Sequence, residues 1–183
     1  MKTPVFTLFS ASMALLGTVT AEAQPRPAGV APAALTKDVF DLAAACRDYG
    51  GKPGKSPGLI QMADLNADGL TDYVLDLNAY NCEGAASAMG AGQSGAAVSV
   101  YVGGAGNTAR KVWNGLAFQA KIEGAPAKPR LWLAIQGLDC GQKDAARRAM
   151  ADQKGCNRPL NWNAAKSTFT YAPLAEARAF DVQ

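Results

Sequence analysis

From Leu59 onward the apolar residues fall mostly into short runs with the two-residue period of β-strands. "AVSVYV" (97–102) sets Val98, Val100 and Val102 against Ser99 and Tyr101, the pattern of a strand with one buried face. "LIQMA" (59–63) and "DYVLDL" (72–77) stand on either side of a polar stretch, and "RLWLAIQ" (130–136) is a continuous apolar run suited to a central strand. "ARKVW" and "LAFQAKI" flank Asn114–Gly115, the strongest short hairpin signal in the chain. "LNWN" and "STFTYA" predict a last hairpin around Ala164–Ala165–Lys166. Ahead of the strands, Val39, Phe40, Leu42, Ala43 and Cys46 form a helical stripe that predicts a helix from Thr36, its cap, to Tyr49, with Gly50–Gly51 as the stop. Lys143 to Asp152 has the composition of a second short helix, with Asp144, Arg148 and Asp152 spaced for ion pairs. About seven strands joined by tight turns, with two short helices, predict a mainly-β fold, an antiparallel sheet or sandwich with a minor α+β character.

The first residues change the picture of where this fold works. Lys2, the apolar "VFTLFSASMALLGTV" and the small-x-small "AEA" have the layout of an export signal over residues 1–23. A Pro/Ala-rich linker over 24–35 and a single domain over 36–183 would follow. No later stretch approaches the ~18 apolar residues of a membrane span, so a periplasmic or secreted protein with no transmembrane segment after cleavage is expected. Cys46, Cys82, Cys140 and Cys156 make an even count, which in an exported chain predicts two disulfides. Of the three possible pairings, Cys46–Cys82 and Cys140–Cys156 each bracket one local unit. Zinc is disfavoured because the chain holds no histidine and no CxxC pair. A net charge of +3 is too mild for a nucleic-acid partner.

The polar stretch between the first two strands, "DLNADGLTD" (64–72), carries the sharpest chemistry. Asp64, Asn66 and Asp68 occupy alternate positions, Gly69 permits a sharp bend, the carbonyl of Leu70 turns inward, and Asp72 closes the set. Oxygen donors in this order suit calcium. The competing reading is a polar turn whose Asp and Asn side chains bond their own backbone. The stretch resembles the D-x-[DN]-x-D-G-x-x-D calcium loops of integrin-type FG-GAP and VCBS repeats, and the first half of EF-hand and dockerin loops. An EF-hand would carry a bidentate Glu where Leu75 stands, and a propeller would need several copies of the motif where this chain has one. The resemblance implies a strand-to-strand loop holding Ca2+ weakly, at about 10⁻⁴–10⁻³ M. More loosely, the mature part resembles small exported proteobacterial proteins that combine one such segment with paired cysteines and a late "W-N" hairpin.

Other motifs offer less. "GAGQSG" (90–95) runs into a strand, not the helix that a dinucleotide fingerprint needs. Without histidine a Ser-His-Asp triad at Ser94 is impossible. A carboxylate pair drawn from Asp76, Glu83, Glu123 and Asp139 is the remaining acid/base route, and Asp76 is expected to face solvent or support Asp64. The loop from Cys140 to Arg158 carries Lys143, Arg147, Arg148, Lys154 and Arg158 against Asp144 and Asp152, a basic excursion able to meet an unknown protein or an anionic envelope polymer. Trp113, Trp132 and Trp162 lie in strand patterns and are expected in the core. These features favour an exported, non-catalytic, calcium-stabilised binding or structural module of the bacterial cell envelope. The alternatives are a carboxylate-dependent hydrolase of envelope polysaccharide and an inhibitor of a secreted hydrolase.

Overall fold

The computed structural model describes residues 31–89 and 95–180, so the expected export signal over 1–23, residues 24–30, the "GAGQSG" stretch up to Ser94 and residues 181–183 lie outside the described residues. In chain order the elements are α1 (Ala33–Asp48), β1 (Lys52–Pro53), β2 (Ile60–Ala63), β3 (Asp72–Asp76), β4 (Cys82–Glu83), α2 (Ala86–Met89), β5 (Ala96–Gly104), β6 (Thr108–Ala117), β7 (Gln119–Glu123), β8 (Arg130–Gln136), β9 (Gly155–Asn163), β10 (Thr168–Tyr171) and β11 (Arg178–Ala179). The fold is mainly β, as the patterning predicts, and every strand pair is antiparallel. The first sheet has the order β2-β3-β5-β6 and the second β10-β9-β8-β7, with β11 added against β9, while β1 and β4 make a small ribbon.

The two sheets bury a common core. Val74, Val98 and Val100 of the first pack with Leu131, Leu133, Ile135, Leu160 and Phe169 of the second. Helix α1 covers the other face of the first sheet, where Leu35 and Leu42 meet Tyr73, Leu75 and Tyr101. Asp38 of α1 accepts from the Tyr101 hydroxyl and pairs with Lys111, fixing the helix to β5 and β6. This third layer explains a departure from the half-buried pattern: Ser99 and Tyr101 are buried along with the valines. With α1 on one face and the second sheet on the other, all five residues of β3 are buried.

Side chains close the sandwich along both margins. Gln61 of β2 donates to the Ala120 carbonyl of β7 (2.7 Å) and accepts from the Ile122 amide (3.2 Å). On the other side Thr168 of β10 donates to the Val112 carbonyl of β6, and Arg110 donates to the Ser167 carbonyl at 3.4 Å.

Both expected disulfides are formed, with Cα–Cα distances of 5.8 Å for Cys46–Cys82 and 5.7 Å for Cys140–Cys156. The first staples α1 to β4. Among the described residues no helix is long and apolar enough to cross a membrane.

Four local expectations are corrected. Helix α1 begins at Ala33, because the buried stripe continues back through Leu35; residues 33–35 belong to the domain rather than to a linker. Thr36 therefore lies inside the helix and donates to the Ala31 carbonyl, while Phe40 points away from the core and is exposed. Asn114–Gly115 is not a turn. It lies within β6, where Gly115 pairs with Val98 and a Cβ would stand 2.6 Å from the Trp113 ring, so packing of the tryptophan selects the glycine. The β5–β6 turn lies earlier, at Ala105–Asn107, where Gly106 and Asn107 both adopt positive φ. Lastly, Lys143–Asp152 forms two 3-10 turns, Ala145–Arg147 and Met150–Asp152, in place of one helix. Asp144–Arg148 pairs at 2.7 Å, and Arg148–Asp152 is not among the ion pairs of the described residues.

Candidate metal centre

The loop 64–72 leaves β2 at Ala63 and enters β3 at Asp72, residues that pair with each other, so it is a strand-to-strand connection of the expected kind. Gly69 takes the left-handed conformation (φ +81°) at the bend, and Ala67 takes it too (φ +61°). The Asp64 carboxylate accepts from the Asp68 amide (3.1 Å) and the Gly69 amide (2.9 Å). The Asn66 side-chain oxygen accepts from the same Asp68 amide at 3.0 Å. One N–H thus draws oxygens from Asp64 and Asn66 to a shared point. Asp68 in turn accepts from the Leu70 amide (2.7 Å) and from the Asn66 side-chain amide (2.9 Å).

Asp72 differs from the others. It is wholly buried, and its two oxygens accept from the amides of Leu65 and Gly103, both at 2.9 Å. These bonds tie the loop to β5. Burial pushes its carboxyl up to about 6; the Gly103 and Leu65 amides oppose that rise, and the charges of Asp68 and Asp64 add to it.

Asp64, Asn66, Asp68, Asp72 and the Leu70 carbonyl are all oxygen donors, the donor class that a hard divalent ion such as calcium takes. The side chains also satisfy the loop's own amides. Among the described residues no group of three or more His, Cys, Asp or Glu is arranged to hold a metal ion.

Two of the other acids, Asp76 and Glu123, have structural partners. Asp76 is buried, contrary to the expectation that it faces solvent or supports Asp64. It accepts from the Asn78 amide and side chain and, across the sandwich, from the Ala120 amide of β7 at 3.1 Å. Glu123 pairs with Lys121 (3.3 Å) and Arg178 (3.1 Å). Within the basic excursion, Arg158 donates to the Ala172 and Asp139 carbonyls (2.6 and 2.7 Å) and lies over the Tyr171 ring. Arg158 and Arg148 are thus engaged internally, whereas Lys143, Arg147 and Lys154 have no ion-pair partner among the described residues. Trp132 is buried as expected, with Arg178 stacked 3.7 Å from its ring centroid and Arg130 at 5.7 Å.

The roles of Asp76 and Gln61 leave no mark in the sequence, since both depend on strands more than forty positions away. No family model, curated protein or solved structure matches the chain.

Proposed function

We propose that this protein is an exported, non-catalytic binding or structural module of the bacterial cell envelope, stabilised by weakly held calcium in the loop 64–72. The observation that supports the reading is the placing of the oxygen donors Asp64, Asn66, Asp68 and Asp72 on one loop between paired strands, with Gly69 left-handed at the bend. In that reading Asp64, Asn66, Asp68, the Leu70 carbonyl and Asp72 hold the ion. Its charge offsets the mutual repulsion of three carboxylates and fixes the turn between β2 and β3. Two disulfides agree with an oxidising compartment outside the cytosol. The unpaired cations of the Cys140–Cys156 loop supply a contact region for an anionic partner.

Calorimetric titration of the purified protein with calcium, alongside Asp68→Ala, tests the metal. Saturable binding at about 10⁻⁴–10⁻³ M that the substitution abolishes supports it. Flat traces from both proteins refute it.

A further inference from the structure

We propose that the cavity beside the Cys140–Cys156 disulfide binds a small amphiphilic anion, with a carboxylate or phosphate head on a short aliphatic body. Its volume is about 520 Å3, within the range of small-molecule sites. The disulfide, Gly141, Leu174 and Ala177 are among its lining residues. Gly141 has φ +78°, and a Cβ there would lie 2.9 Å from Leu174 Cδ1, so the absent side chain lets Leu174 pack against Gly141. Leu174 is 48% exposed, so its side chain is open to a ligand in the cavity.

Two cations, Lys154 and Arg178, also line the space. Arg178 stands over the Trp132 ring and pairs with Glu123, and a guanidinium has further N–H donors to offer. Lys154 has no acidic partner among the described residues. The surrounding charge has the same sign. From Gln119 to Ala179 ten basic residues stand against five acidic ones, whereas from Lys37 to Phe118 six stand against eight. The part of the chain that builds the second sheet and its disulfide loop therefore attracts anions. A bare anion would leave the aliphatic wall unfilled, and a neutral hydrocarbon would make no use of the Lys154 and Arg178 cations. An amphiphilic anion answers both.

This inference rests on the binding-module reading but not on its metal: the calcium titration interrogates a different loop, so either can fail alone. The test follows the amide signals of Gly141, Gly155 and Ala179 in the isotope-labelled protein during titration with sodium octanoate, octanol and sodium acetate. Saturable shifts with octanoate are expected, with octanol and acetate each about tenfold weaker. Lys154→Gln, at an exposed position, should weaken octanoate about fivefold while leaving distant signals in place. Hexyl phosphate and phosphatidylglycerol vesicles then separate a free anion from a lipid headgroup, and binding to either supports the site. No saturation with any anion, octanol binding as well as octanoate, or an unaffected Lys154→Gln protein would overturn it.

Discussion

Asp76→Asn is the most informative single change, because the carboxylate joins the two sheets without touching the loop 64–72. In the parent, one oxygen accepts from the Asn78 amide (3.0 Å) and side chain (2.7 Å), and the other from the Ala120 amide (3.1 Å). The substituted amide retains one acceptor and turns its NH2 toward a donor. The Ala120 N–H, buried between the sheets, then has no partner. Losing a charge-assisted bond and stranding one donor costs about 2–3 kcal/mol, and Asp76→Ala, which removes all three bonds, about 4 kcal/mol. For a domain of this size the first figure corresponds to a drop of about 5–10 °C in Tm. Urea unfolding followed by far-UV circular dichroism measures it, with Glu123→Gln as a surface control expected to stay within about 0.5 kcal/mol. Should Asp76→Asn move the midpoint no further than Glu123→Gln at equal slope, the carboxylate is not the clasp that holds β7 to β3.

Three further changes test other parts of the structure. Opening Cys140–Cys156 with a double Ser substitution should cost about 3 kcal/mol in the same urea assay, and opening the wider Cys46–Cys82 loop about 4 kcal/mol. Ala67→Gly should raise stability by up to about 1 kcal/mol, since φ +61° strains an alanine but not a glycine; a loss in differential scanning calorimetry would contradict the loop geometry. Burial pushes the Tyr171 hydroxyl up to about 12, with the charge of Asp139 adding to it and Arg158 opposing it. The folded state thus keeps that proton when the unfolded chain has released it near 10. Stability should therefore fall as pH rises from about 10 to about 12, and Tyr171→Phe should remove this part of the loss, read from unfolding midpoints across the range.

The features legible in the sequence are those whose cause is local. The β9–β10 hairpin follows from apolar alternation on either side of a short polar turn, and the Lys166 amide does bond the Asn163 carbonyl there. Cysteine spacing picks out the two local units that the disulfides staple. What escaped has its cause elsewhere in the chain. Ser99 and Tyr101 look solvent-facing until α1, some sixty residues earlier, lies over them. Asn114–Gly115 carries a strong turn signal, but β6 must continue to reach Ala117 and cross to the second sheet, and Trp113 needs a residue without a side chain beside it. In the candidate metal loop the bend at Gly69 was readable, whereas the depth of Asp72 was not, because burial there depends on β5 and its Gly103 amide.

The way Gln61 and Asp76 occupy β7 bears on how copies of this protein behave together. A bare sheet margin invites another chain to add its own strand, and repeated addition is the route to fibrils. Here the Ala120 N–H and C=O and the Ile122 N–H are already taken by side chains from the facing sheet, and Thr168 and Arg110 bridge the opposite margin. No covering helix or proline is used on β7 to this end. Two side chains give it its resistance to strand-by-strand recruitment, so the positions that secure the fold also keep neighbouring molecules apart.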